Sequence, residues 1–470
     1  MKKACVLMFA VAAAATLNAA TINQVIVRQQ WPWSIKIKVE YRLSGVDASH
    51  PVDIAVTTYN GDDPLPSTNL RAAIEGNLYG ITEEFGEFYI DPVVAYGTEK
   101  IGMTKFKVKL AVTDSADNIN EVLYKIVDLT PPYAVTDVTR KDFYNGKYGA
   151  YVTTFADIDS EFSTSLESVL IWTDVTNDVY KTSKMVFRRI PAAGQSYMFQ
   201  TNNASVNGGA GVEVSFARDF YIGVFEVTQS QATNVYQGMI NRSYETNALY
   251  RATRPLDGQY FDTTLRGKSN WPEDTSHDLV TSGTTASLLY QMQSKIGLLF
   301  DLPTEAMWEY ACRAGTTTPL YTGAPSHSAA WDDGHCRKIM RAYGCNVTAF
   351  PSGWTDAEKK GCNLSYGPNI VGGYKPNAWG LYDMLGNVRE WCLDRNIAAT
   401  SLASVTYGED PVGPTTEQGG SSVEGVMRGG SYADNAINCH GRHSGRRTYN
   451  TNYFGVRLCI YLTNHADGTK

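Results

Sequence analysis

The run Pro376 to Trp391, P-N-A-W-G-L-Y-D-M-L-G-N-V-R-E-W, constrains the fold more than any other stretch. A Pro-Asn pair, Gly380 and a Gly386-Asn387 pair punctuate it too often for a helix, so it must form short strands joined by tight turns. The side-chain oxygens of Asp383, Asn387 and Glu390 lie close in sequence to carbonyls freed by the turn at Gly386. Two roles are open to them. They can satisfy turn N–H groups, or they can join those carbonyls around a hard cation such as calcium.

The chain has 470 residues, room for two or three domains. It opens M-K-K, continues with an apolar run from Ala4 to Leu17 and then small residues, which is the layout of a secretory signal over 1–20. We therefore expect a secreted or periplasmic protein. The apolar run is too short to span a bilayer, and no later segment approaches the required ~20 residues. The net charge of −7 and the absence of a basic block argue against a nucleic-acid partner. Of eight cysteines, seven follow the signal: Cys312, Cys336, Cys345, Cys362, Cys392, Cys439 and Cys459. In an oxidising compartment an odd number leaves one thiol over or pairs it between chains. A disulfide between Cys336 and either Cys345 or Cys362 is compatible with their spacing, and spacing alone does not choose.

From Thr21 to about Thr130, apolar residues alternate, as in Ile35-Ile37-Val39-Tyr41, Phe106-Val108-Leu110-Val112 and Val122-Tyr124-Ile126. That pattern predicts half-buried strands and an Ig-like β-sandwich over 21–130. Pro131-Pro132 predicts a break, followed by a linking β segment over 131–183. Beyond Lys184, strand and helix signals mix, so the whole chain reads as α+β. Leu289, Met292 and Ile296 have helical spacing before Gly297. In D-L-P-T-E-A-M-W-E-Y-A-C-R-A-G, Thr304 caps a helix that ends at Gly315.

M-V-F-R-R-I-P, F-Y-I-G-V-F-E-V-T, D-L-P-T-E-A-M-W-E-Y-A-C-R-A-G, P-N-A-W-G-L-Y-D-M-L-G-N-V-R-E-W, R-G-G-S-Y and N-Y-F-G-V-R-L occur in that order. This series resembles the formylglycine-generating enzyme, or sulfatase-modifying factor, family over residues 184–462, with 463–470 a tail. The resemblance implies a variant of the C-type lectin fold. It also implies a calcium site at Asp383, Glu390 and the carbonyls of Gly386 and Val388, and a second beginning at Asn363 and the carbonyl of Leu364. Trp308, Glu309 and Arg313 are expected to brace their helix, Trp391 to sit in the core, and Arg428 and Arg457 either to pair with buried carboxylates or to lie at the surface. By the same resemblance Cys312 is a half-cystine, with Cys459 as its expected partner.

The catalytic members bind copper through two cysteines after R-G-G-S-Y. Counting from Ser431, Cys439 takes the second place and Asp434 the first. A thiolate and a carboxylate make a poor Cu(I) site, so copper is not expected. Ser431 and Cys439 are the candidate catalytic residues, and Asp434, His440 and His443 the candidate binding residues, a mixture that suits zinc or iron in principle. The favoured expectation is a calcium-stabilised recognition protein for a protein or carbohydrate ligand. The alternative is an oxidoreductase modifying a cysteine of a sulfatase or another protein.

Overall fold

The computed structural model describes residues 20–462 except 31, 66–69, 71–72, 100–104, 116–117, 146–151, 154–168, 173, 237–251, 268–270, 273–274, 281–286, 322–339, 342–366, 406, 415–423 and 435–436. The expected signal, the tail, Cys336, Cys345, Cys362 and the expected second calcium site at Asn363 and Leu364 lie outside the described residues. The chain divides into two compact units, residues 1–121 with 140–147 and residues 122–139 with 148–470.

The first unit holds two antiparallel sheets. Thr21–Gln29, Ile37–Ser44, Phe85–Ile90 and Ile74–Glu75 form one, in the spatial order 21–29, 37–44, 85–90, 74–75, and Val52–Asn60 lies between Asp63–Pro64 and Phe106–Asp114 in the other. The period-2 pattern decides which side chains go inside. Ile37, Val39, Tyr41 and Leu43 are buried together with Val52, Ile54, Phe88 and Ile90 in one core.

The second unit is mixed α and β. Its larger sheet is antiparallel, in the order Phe300–Asp301, Cys459–Tyr461, Phe220–Gly223, Lys184–Ile190, Val122–Asp128, Val135–Thr139. This corrects the expected boundary at residue 130. Val122–Asp128 pairs with Lys184–Ile190 on one side and Val135–Thr139 on the other, so it belongs to the second unit. The reason is burial on both faces. Leu123, Lys125 and Val127 are as buried as Tyr124 and Ile126, which marks an interior strand rather than an alternating one. Pro131-Pro132 then lies in the turn of a hairpin instead of between domains. The end of the expected linking segment is likewise built in, because Trp172 packs on Tyr124 and accepts a hydrogen bond from the Tyr382 hydroxyl (2.8 Å) at its carbonyl.

The helices obey their end signals. Thr228 and Gln231 form a reciprocal capping box ahead of Gln229–Val235. Ser287 caps Leu288–Ile296, which ends on Gly297 at φ 83°. Thr304 caps Glu305–Arg313, whose buried face carries Trp308, Ala311 and Cys312. A second sheet sets His443–Arg446, Glu424–Arg428, Arg389–Arg395 and Phe454–Gly455 side by side. Its inner strands deliver Arg389, Glu390 and Arg428 to the region described next.

Candidate functional site

Asp434 is where the sequence departs from the two-cysteine pattern, and its surroundings are those of an ion pair. Arg389 Nε donates to Asp434 Oδ2 at 2.9 Å while its Nη2 donates to Oδ1, a bidentate clamp. Ser431 Oγ donates to the same Oδ2 at 2.9 Å, and His443 Nε2 lies 4.0 Å from it. Burial opposes the charge on Asp434, but the Arg389 guanidinium and the Ser431 hydroxyl hold its carboxyl below the usual carboxylate range. Burial and the nearby Arg389 charge push His443 down to about 4, so the imidazole is neutral. Arg389 also lies over the Tyr453 ring, 4.9 Å from its centroid. Ser431 is fully buried, and its Oγ accepts from Ala433 N–H at 3.2 Å. Such a hydroxyl lacks the access that a nucleophile needs.

Cys439 is buried as well, and its sulfur lies 3.7 Å from that of Cys312. This corrects the expected partner of Cys312. Cys459 stands opposite Ile222 in the larger sheet and is buried in the same core cluster, but the sulfur in contact with Cys312 is that of Cys439. Burial and the neighbouring Cys439 push the Cys312 thiol well above the ordinary thiol value. Burial opposes a Cys439 thiolate, but the hydrogen bond from Cys312 and the Arg313 charge hold the Cys439 thiol below the ordinary value. The two touching sulfurs are therefore placed for a crosslink formed by thiol–disulfide exchange. Treating the protein with oxidised glutathione is expected to link the Cys312 and Cys439 peptides, read by mass spectrometry without reduction. Linkage of Cys312 to Cys459 instead would contradict this packing.

Beneath this pair runs a buried ionic network. Arg428 donates to Glu305 Oε1 at 2.9 Å, to Glu309 Oε2, and to the carbonyls of Cys439 (2.8 Å) and His440 (3.2 Å). Glu309 also accepts from Arg313 Nε at 2.8 Å and from the Gln200 backbone and side chain, both at 2.9 Å. Trp308, Glu309 and Arg313 thus brace the helix as expected. His440 contributes its carbonyl to this network, while its buried Nδ1 has no partner. The trio Asp434, His440 and His443 is therefore not assembled around one point: Asp434 and His443 meet, and His440 serves a different neighbour.

The Gly386 turn gathers a third set of charges. Asp383, at φ 59°, is fully buried, with one carboxylate oxygen accepting from Gly372 N–H and the other, Oδ1, unpartnered. Burial pushes its carboxyl up to about 6. Glu390, an expected calcium ligand, is occupied by Arg457 (2.7–3.1 Å) and by Trp308 Nε1. Glu226, unforeseen from the sequence, accepts from Asn387 Nδ2 at 2.6 Å and Val388 N–H at 3.2 Å. Burial, and then the charges of Asp383 and Glu390, raise the Glu226 carboxyl well above its ordinary value. Three buried carboxyl groups thus gather near Arg457, with Lys181 near Asp383, and one Asp383 oxygen is left without a partner. That fits a hard cation at Asp383. The fit at Glu390 is poor, since Arg457 already fills its lone pairs. Among the described residues no three His, Cys, Asp or Glu side chains converge on a point, so a cation here would rely on carbonyls.

With the geometry in hand, relatives can be compared. Residues 177–462 match the sulfatase-modifying factor enzyme 1-like domain family. The chain belongs to this family. Among curated proteins, it is 34% identical over 175 residues to the formylglycine-generating enzyme of Streptomyces coelicolor, covering 36% of this chain and 48% of that one. It is 31% identical over 150 residues to the formylglycine-generating enzyme of Mus musculus, covering 32% and 35% respectively. The chain thus spans between a third and a half of the length of these relatives. Treponema denticola variable protein 1 is a solved structure similar over 59% of this chain and 95% of that one, at 19% identity and a TM-score of 0.43. In this sulfatase-modifying-factor domain, the residues missed by sequence reading are Arg389, Tyr453, Glu226 and Lys181. Glu226 had one signal, a lone carboxylate in the apolar run F-Y-I-G-V-F-E-V. Arg389 had none, since its partner lies 45 residues away.

Proposed function

We propose that this chain is an exported, sulfatase-modifying-factor-like protein that recognises a protein or glycan and does not oxidise cysteine. The reading takes the second unit as a C-type lectin variant and the first as an Ig-like sandwich, with calcium held by Asp383 and the carbonyls of Gly386 and Val388. One observation carries it: Arg389 clamps Asp434 at the place of the first copper-binding thiolate. A carboxylate engaged through both oxygens has little left for a metal, and copper(I) prefers sulfur in any case. The burial of Cys439 against Cys312 supports the same reading, because it shields the second thiol from a protein substrate. What remains at the surface suits recognition. Tyr449 is 54% exposed, and Arg446 lies 5.1 Å over its ring and donates to its hydroxyl. An aromatic face flanked by a guanidinium is a ready contact for sugars and extended peptides.

The names of the curated relatives point to the alternative, an oxidoreductase of the formylglycine-generating type acting on a sulfatase. The two readings separate in one assay. Incubating the mature protein with copper, oxygen and a Cys-x-Pro-x-Arg peptide is expected to yield no aldehyde by mass spectrometry. Formylglycine appearing faster than in the metal-free control would overturn the recognition reading.

A further inference from the structure

A cavity of about 430 Å³ opens in the second unit and shares no lining residue with the Asp434 cluster or the Gly386 turn. Its walls include Phe216, Phe220, Trp271, His277, Val412 and Tyr461. They are tied in place. Trp271 Nε1 donates to the Val412 carbonyl at 2.8 Å, and the Tyr461 hydroxyl donates to the Leu302 carbonyl at 2.7 Å. The His277 ring stacks on Tyr461 at 3.5 Å between centroids, with Trp271 5.1 Å away.

The polar feature of this cavity is a dyad. His277 Nδ1 lies 2.9 Å from Asp301 Oδ2, and Asp301 is fully buried and bound by Arg266 through both oxygens at 2.7 and 2.8 Å. Burial works against the Asp301 charge, but Arg266 and His277 bring its carboxyl down to about 2, so it is an acceptor only. The His277 proton therefore sits on Nδ1, and in the neutral ring Nε2 is left as an acceptor. The rim carries charges of both signs, Arg218 as well as two carboxylates. Asp219 is held by Arg189 and by the N–H groups of Ala192 and Ala193, and Asp410 accepts from Ala217 N–H. Neither sign of charge is therefore favoured in a ligand.

We infer that this cavity is a binding site for a neutral aromatic or heteroaromatic small molecule carrying one N–H or O–H donor, which His277 Nε2 receives. The volume lies in the range of small-molecule pockets, and stacking walls with one oriented acceptor are the usual recipe for such selectivity. The inference is independent of the proposed recognition surface.

The test uses the full mature chain with indole and 1-methylindole as probes, followed by calorimetry and saturation-transfer NMR. Indole is expected to bind saturably at one site, and 1-methylindole, which lacks the donor, at least tenfold more weakly. Thr275→Trp, a change at an exposed rim position of the cavity, is expected to abolish indole binding while leaving the thermal midpoint unchanged. Absence of saturable indole binding at millimolar concentration would overturn the inference. So would equal affinity for the two probes, or indole binding that survives in Thr275→Trp.

Discussion

Replacing Arg457 with Met is expected to destabilise the second unit by about 3–5 kcal/mol, the usual cost of stripping a buried charge of its partner. Arg457 is fully buried and donates to Glu390 and to the carbonyls of Gly223, Val224 and Tyr382. Its removal takes a donor from three carbonyls, of which that of Val224 keeps the Tyr382 N–H (3.0 Å), and leaves Glu390 near Glu226 and Asp383 without its guanidinium partner. The urea transition followed by tryptophan fluorescence is the measurement, since Trp172, Trp271, Trp308 and Trp391 are buried in this unit. Arg457→Lys keeps the charge and loses the fork, so it should fall between the two. Adding Glu390→Gln to Arg457→Met should recover part of the loss, because it removes the unpaired charge. A loss below about 1 kcal/mol for Arg457→Met would mean that the pair is not what holds these strands together.

The same residue shows what could be read from the sequence. Resemblance left Arg428 and Arg457 open between a buried carboxylate and the surface, and both meet buried carboxylates. Helix ends were legible because Thr228, Ser287, Thr304 and Gly297 act on groups within a few residues of themselves. The strand Ile37–Ser44 was legible for the same reason, its alternation being local. Val122–Asp128 was not, because what decides its membership is a ladder to residues 184–188, some sixty positions on. The double proline misled in the same way, since Pro marks a turn without saying whether a hairpin or a new domain follows. At the site, the Asp434 substitution could be seen but its meaning could not. A lone Asp in place of Cys reads as loss of a ligand, whereas Asp434 together with Arg389 is the gain of an ion pair. Cys439 was aligned by counting from Ser431, and counting cannot foresee that its sulfur turns toward Cys312.

Calcium should stabilise the protein strongly at pH 7.5 and little at pH 5. Asp383 has its carboxyl raised to about 6 in the folded state, against an ordinary value of 3.8. A raised value means that the fold holds the proton more tightly than the unfolded chain does. Its stabilising contribution is complete below about 4 and is lost as pH rises through about 6, a decline of about 3 kcal/mol from this group by linkage. Asp394, raised to about 7 by burial and the Glu305 charge, declines in the same sense. Calcium bound there would compete with the proton at Asp383, because the unpartnered Oδ1 can be a ligand only when the carboxyl is ionised. At pH 7.5, calcium at a hundred times its dissociation constant would return about 2.7 kcal/mol. At pH 5 the site is protonated and the gain shrinks. Glu226, raised in part by the Asp383 charge, would respond to an ion there as well, so the Asp383→Asn comparison is what assigns the difference to Asp383. Thermal midpoints measured with calcium and with a chelator at the two pH values read this directly, and Asp383→Asn should remove the difference. A midpoint that ignores calcium at pH 7.5, or shifts equally at both pH values, would take Asp383 off the list of ligands.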